Sequence, residues 1–136
     1  AVVERSIIGE GSEIHGEVYN SVIGPGVVIK KGSVVRNSII MKQSFIGENV
    51  TIDKAIIAEN VTVGNNVVMG VGEDVPNKEK PSVYSFGLVT IGENSVIPAD
   101  VKIGINTAIV GETTPEDYPD GELASGETLN KEGETA

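Results

Sequence analysis

Residues 38–57 read Ser38-Ile39-Ile40-Met41-Lys42-Gln43-Ser44-Phe45-Ile46-Gly47-Glu48-Asn49-Val50-Thr51-Ile52-Asp53-Lys54-Ala55-Ile56-Ile57. Ile40, Ile46 and Ile52 stand six apart, and the opening tripeptide returns after 17 residues as Ala55-Ile56-Ile57. Upstream it has counterparts in Ser21-Val22-Ile23 and Ser6-Ile7-Ile8. The six-residue step extends outward through Ile23, Ile29 and Val35, through Ile57, Val63 and Met69, and returns at Ile91, Ile97, Ile103 and Ile109. A fixed period of this kind marks a solenoid. No single repeat can bury its apolar side, and only stacked repeats share a core.

The repeat is a strand repeat. Each hexad runs aliphatic, often Gly, then small or polar residues, as in Ile46-Gly47-Glu48-Asn49-Val50-Thr51. β-Branched residues suit short strands, and Gly and Asn accept the positive φ of tight turns. No apolar stripe of helical period competes. The 17-residue block is one residue short of three hexads. Residues 23–69 are the regular part. Residues 1–22 form an imperfect first coil, its tripeptide step 15 residues long and its rhythm broken at His15-Gly16-Glu17-Val18-Tyr19. Residues 70–90, polar around Pro76 and Pro81, read as a loop leaving the solenoid. The loop replaces about one coil in the 34-residue jump from Ile57 to Ile91. The solenoid is predicted over residues 1–111. Residues 112–136 are predicted to be an acidic tail, disordered or laid along the solenoid as an arm.

The chain of 136 residues is long enough for one domain. Hydrophobic content is 39% but aromatics are 4% and Trp is absent, which suits a narrow interior of stacked Ile and Val. The net charge of −10 is uneven: residues 1–111 carry −3 and residues 112–136 carry −7. Nucleic acid and anionic membrane are therefore not expected as partners. With no Cys, disulfides, thiolate metal sites and Cys nucleophiles are excluded. No apolar run approaches the roughly 20 residues of a membrane helix, and no signal peptide opens the chain. The first residue is Ala, so a processed chain or a piece of a longer one is expected. The triplets Asn49-Val50-Thr51 and Asn60-Val61-Thr62 match the glycosylation pattern by chance.

Period six with a leading aliphatic residue resembles the hexapeptide repeat, in which three hexads make one triangular coil of a single-stranded, left-handed parallel β-helix. The left hand is implied by the resemblance alone, since the usual crossover rule favours the right hand. A closer resemblance lies in Glu17-Val18-Tyr19-Asn20-Ser21-Val22-Ile23, Asn37-Ser38-Ile39-Ile40-Met41, Ala55-Ile56-Ile57 and the Gly72–Pro81 loop leading into Val89-Thr90-Ile91-Gly92. Over roughly residues 2–111 these resemble the C-terminal β-helix domain of the bacterial glucose-1-phosphate adenylyltransferases. The resemblance implies a regulatory and oligomerisation domain in glycogen biosynthesis. It implies a parent enzyme that makes ADP-glucose and pyrophosphate from ATP and glucose 1-phosphate with Mg²⁺, in the cytoplasm. The implied partners are a preceding nucleotidyltransferase domain, the other subunits of a tetramer, and a phosphorylated sugar-metabolite effector.

No catalytic residue of that family maps onto this chain, and the chain alone is expected to be inactive. Gly9-Glu10-Gly11, Gly24-Pro25-Gly26 and Gly70-Val71-Gly72 are turns of a Gly-rich repeat, since none opens a strand-loop-helix with a following Arg. No cofactor or metal site is expected in the chain itself. The effector candidates are Arg36, Lys42, Lys30 and Lys31, a local cationic excess in an acidic chain. Arg36 can offer a phosphate two N–H donors and Lys42 a point charge, although ordinary solvated turn charges explain the same residues. The alternative function is a free-standing trimeric acyltransferase with His15 as general base. His15 sits in the irregular first coil, where a turn residue at a domain junction is the simpler reading. One histidine cannot supply a three-histidine zinc site. Glu73-Asp74, with Lys78 and Lys80 nearby, reads as a solvated, self-paired loop.

Overall fold

The computed structural model describes residues 2–72, 75–78, 87–118 and 121–130. Among them the chain winds as a parallel β-helix whose coils present three faces. Sheet A stacks Val2–Glu4, Glu17–Tyr19, Val34–Arg36, Thr51–Asp53, Val68–Met69, Lys102–Ile103 and Glu122–Leu123. Sheet B stacks Ile7–Ile8, Val22–Ile23, Ile39–Ile40, Ala55–Ile57, Val89–Ile91, Thr107–Val110 and Thr128–Asn130. Sheet C stacks Glu13–Ile14, Val28–Ile29, Phe45–Ile46, Thr62–Val63 and Val96–Ile97. Every pairing is parallel, so each coil lies about 4.8 Å above the last.

The 17-residue period follows from the corners. From sheet B to C and from C to A the inward residue recurs after six, as in Ile40, Ile46 and Ile52. From sheet A to B it recurs after five in the regular coils, as in Val35 to Ile40 and Ile52 to Ile57, and after six in the last two coils, from Ile103 to Ile109 and from Leu123 to Leu129. The chain turns at residues held at positive φ. The six-residue corners use Asn49 (φ 58), Asn60 (φ 58), Asn66 (φ 63) and Asn94 (φ 61), and the five-residue corners use Asn20 (φ 49), Asn37 (φ 52) and Lys54 (φ 55). Asn tolerates this conformation better than most L-residues, which is why it punctuates the sequence. The Gly that follows several inward aliphatics answers a different need. A Cβ on Gly64 would sit 2.5 Å from the backbone nitrogen of Ala99 in the next coil.

The inward residues stack into continuous columns. Ile40, Ile57 and Ile91 form one, Ile46, Val63 and Ile97 a second, and Val35, Ile52 and Met69 a third. All are buried, and each fully buried side chain of this size contributes roughly 1.5–3 kcal/mol of hydrophobic stabilisation.

Three sequence expectations meet the structure here. The first coil is short at one corner: Ile14 and Val18 are four apart where Ile29 and Val35 are six apart. The 34-residue step is one coil, because Ile57 pairs directly with Ile91, Val63 with Ile97 and Met69 with Ile103. The insert therefore leaves the coil and returns to it, and no coil is replaced. Nor do the strands stop at residue 111. Glu122–Leu123 pairs with Lys102–Ile103, and Thr128–Asn130 pairs with Ala108–Val110. Leu123 and Leu129 keep the six-residue step and pack against the core, so Glu122–Leu123 and Thr128–Asn130 belong to the solenoid. Its acidic composition reflects outward positions such as the exposed Glu122. On the third side of this last coil a short 3-10 turn, Pro115–Asp117, delivers Tyr118 into the core, where its hydroxyl lies 2.8 Å from that of Thr113. Residues 131–136 lie outside the described residues.

Candidate functional site

The outward faces differ in chemistry because alternate strand residues point outward. Sheet A presents Glu17, Tyr19, Arg36, Asp53, Lys102 and Glu122. Tyr19 donates to the Glu17 carboxylate, and that bond raises the phenol pKa above its ordinary value. Sheet B presents no charge on its strands. Ile7, Val22, Ile39 and Ile56 are cross-strand neighbours in one row, followed by Thr90. Ile7 is 68% exposed, Val22 44% and Ile39 43%.

The cations singled out from the sequence are distributed over three corners. Lys30 and Lys31 share the corner between Val28–Ile29 and Val34–Arg36, and Lys30 lies 5.7 Å from the Phe45 ring centroid. Arg36 ends its sheet A strand, in register with Tyr19 below and Asp53 above. Lys42 lies on the corner between sheets B and C and pairs with Glu59 at 3.7 Å. Lys30 and Lys31 are brought together, whereas Arg36 and Lys42 stand at the two ends of the sheet B side.

Beside Lys42, a shallow apolar notch of about 300 Å³ opens between Val22, Pro25, Ile39 and Met41. A second depression, about 340 Å³, lies where Val71, Gly72 and Val75 pass Lys102 and Glu122. A third, about 290 Å³, is lined by Glu93 and Glu112 with their glycine neighbours. His15 is exposed on the shortened first corner, 3.6 Å from Glu13, and lines none of these three. No group of three or more His, Asp or Glu among the described residues can hold a metal ion. Glu73, Asp74 and Lys80 lie outside the described residues.

Two features escaped the sequence reading. One is the apolar row on sheet B. Its signal was present in the paired aliphatics of Ser21-Val22-Ile23 and Ser38-Ile39-Ile40, because adjacent strand residues cannot both face inward. The other is Asn77 of the insert, which is buried. Its Nδ2 donates to the Asn106 carbonyl and to Thr128 Oγ1, each at 3.0 Å. Asn106 answers by donating to the Val75 carbonyl at 2.8 Å. This exchange fastens the insert to the last two coils, and nothing in the spacing of the repeat announces it.

A coil with three parallel faces, Asn-turned corners and an Ile/Val interior defines a hexapeptide-repeat β-helix protein. The chain belongs to the GlmU-like C-terminal hexapeptide family, whose family model matches residues 1–91. Its sequence is similar to glucose-1-phosphate adenylyltransferases. That of Lachnospira eligens is 59% identical over 98% of this chain, that of Acetivibrio thermocellus 44% over 98%, and that of Thermotoga sp. 57% over 92%. The chain spans about a third of those relatives, 32%, 31% and 30% of their lengths respectively, and matches their C-terminal part. The acetyltransferase domain of PglB from Neisseria gonorrhoeae shares the fold at a TM-score of 0.59 and 21% identity, over 91% of this chain and 51% of that one.

Proposed function

We propose that this chain is the C-terminal regulatory and assembly domain of a glucose-1-phosphate adenylyltransferase. The parent enzyme converts ATP and glucose 1-phosphate to ADP-glucose and pyrophosphate for glycogen synthesis in the cytoplasm. The reading is carried by the match of nearly the whole chain to only about a third of each adenylyltransferase relative. A stack of buried Ile and Val columns, each coil resting on its neighbours, suits a scaffold. Nucleotide, sugar phosphate and Mg²⁺ then belong to the preceding nucleotidyltransferase domain. On this chain Arg36, Lys42, Lys30 and Lys31, set on different corners, are the candidate cations for a phosphorylated effector, and the full-length subunits form a tetramer.

The test is ADP-glucose formation by this chain alone and by the full-length protein. Turnover is expected only from the full-length protein, and turnover by the 136-residue chain overturns the reading. No membrane insertion is invoked, and among the described residues no helix is long and apolar enough to cross a bilayer.

A further inference from the structure

Two of the three hollows set a cation and a carboxylate beside an apolar wall. In the notch on sheet B those charges pair with each other, Lys42 with Glu59 at 3.7 Å. In the cavity of about 340 Å³ at the foot of the insert they do not. Lys102 and Glu122 are in register on neighbouring strands and both point outward, yet neither enters an ion pair among the described residues. The opposite wall is Val71, 64% exposed, and Val75, which the insert carries past the last coils. On the floor, Ser125 Oγ accepts the Ile105 N–H at 3.0 Å, which leaves its hydroxyl proton free to donate. Gly72 and Gly104 make room for that hydroxyl, since a Cβ on either would collide with it. The volume falls at the lower end of the range of small-ligand sites, roughly 300–1,000 Å³.

We propose that this cavity binds a free α-amino acid with an aliphatic side chain. The ligand carboxylate takes the Lys102 ammonium and the Ser125 hydroxyl, its ammonium takes the Glu122 carboxylate, and its side chain lies on Val71 and Val75. Charge selects this class. A simple anion drawn to Lys102 meets Glu122, and a simple amine drawn to Glu122 meets Lys102. A zwitterion answers both, and rejection of the singly charged analogues gives the specificity. Neighbouring strands lie about 4.8 Å apart, so the two protein charges are spaced to reach two ligand charges carried on one carbon. On sheet A, Lys102 stands three strands beyond Arg36, so the cavity is separate from the candidate effector cations. The inference does not rest on the adenylyltransferase reading.

The experiment is isothermal titration calorimetry of the full-length protein with L-leucine, up to about 20 mM. L-Leucinamide, which lacks the carboxylate, and 4-methylpentanoate, which lacks the ammonium, are titrated beside it. Saturable binding of leucine is expected, with each analogue weaker by about tenfold or more, the scale of one lost charge-assisted contact. Lys102→Gln and Glu122→Gln, both at exposed positions, are each expected to weaken leucine by about tenfold. No saturable binding of leucine overturns the proposal. An analogue that binds as tightly as leucine overturns the zwitterion assignment and the proposal with it. Leucine affinity unchanged in either variant places the binding elsewhere on the protein and overturns it equally.

Discussion

The amide of Ser38 donates to Oγ of Ser21, one coil earlier in the chain, at 3.1 Å. Ser38 Oγ in turn accepts from the amide of Ala55 at 3.0 Å and donates to the carbonyl of Arg36 at 2.7 Å. Ser6 repeats the relation with the amide of Ser21 at 3.0 Å. The recurring Ser of the tripeptide is therefore a stitch at the five-residue corner, where the chain leaves sheet A and the amides of Ser21, Ser38 and Ala55 each take a serine oxygen as acceptor. Ser38→Ala is expected to leave the Ala55 amide without this acceptor in a buried place, at a cost of about 1–3 kcal/mol. Urea unfolding measures it, with the exposed Thr62→Ala as the control expected to stay within about 0.5 kcal/mol. A Ser38→Ala midpoint equal to wild type would remove the stitch as a stabilising element.

The columns make a second prediction. Ile57 sits between Ile40 and Ile91 with no exposed surface. Ile57→Val is expected to destabilise by about 0.5–1.5 kcal/mol and Ile57→Ala by about 2–5 kcal/mol. Because each coil touches only its neighbours, the damage is expected to stay local. Hydrogen exchange at Met41 and Ala58, whose amides donate to the carbonyls of Ile57 and Ile91, is expected to accelerate before that at Glu13 or His15. Uniform loss of protection along the chain would contradict a nearest-neighbour solenoid.

Much of this was legible from spacing alone. The inward residues are those of the six-residue step, because an apolar column must recur at whatever interval closes one side of the coil. The shortened corner was legible only with the three-sided coil that the family resemblance implies, since 17 falls one short of three sixes. The hand of the coil was not, because a repeat length carries no chirality, and here it came from family resemblance. The last coil was hidden because Ile109 and Leu123 are 14 residues apart, and the detour through the 3-10 turn and Tyr118 breaks the period. The candidate effector cations were legible as residue types but not as a constellation. Thirteen residues of sequence, 30–42, wrap almost a full coil and so carry Lys30 and Lys31, Arg36 and Lys42 to different corners.

Burial in the last coil pushes the Tyr118 phenol up from 10.0 to about 12, against the opposing effect of its hydrogen bond with Thr113. The folded-state pKa is raised, so this contribution is fully present below pH 10 and is lost as pH rises from 10 through about 12. Ionised Tyr118 is favoured only in the unfolded chain. The expected loss is of order 2 kcal/mol across that window. Tyr118→Phe is expected to cost about 1 kcal/mol at neutral pH, for the Thr113 bond, and to flatten the alkaline decline. Denaturant titrations of both proteins between pH 8 and pH 12 test the sign, and parallel declines would show that Tyr118 does not titrate with unfolding.

Arg36 carries the effector prediction. It is exposed, points outward from sheet A, and its partners in register are Tyr19 and Asp53. Arg36→Ala in the full-length enzyme is expected to leave basal ADP-glucose formation intact and to raise the effector concentration for half-activation by about tenfold, the scale of one charge-assisted phosphate contact. Arg36→Lys keeps the charge but not the paired donors, so it is expected to fall between the two. An effector response unchanged in Arg36→Ala removes this residue from the site.

Asn77 carries the last prediction, which concerns how the insert is held. Its buried amide joins the Asn106 carbonyl to Thr128, and the next residue, Lys78, donates its backbone N–H to the Gly126 carbonyl at 2.9 Å while its ammonium pairs with Glu127. The peptide bond after Lys78 is a tryptic site, and a protease needs several residues of extended, released backbone around it. In the wild-type chain this bond is expected to resist cleavage, because the Lys78 backbone is fastened to the last coil. Asn77→Ala removes the side chain that bridges the insert to both final coils and leaves the Asn106 carbonyl without that donor. Cleavage after Lys78 is expected to accelerate by about tenfold, the effect of roughly 1.4 kcal/mol on local opening. The inward columns of the earlier coils do not touch Asn77, so hydrogen exchange at Gly24 and Gly47 is expected to stay at the wild-type rate. Acceleration at those amides would mean that the insert stabilises the whole solenoid, and unchanged cleavage after Lys78 would mean that Asn77 does not hold it.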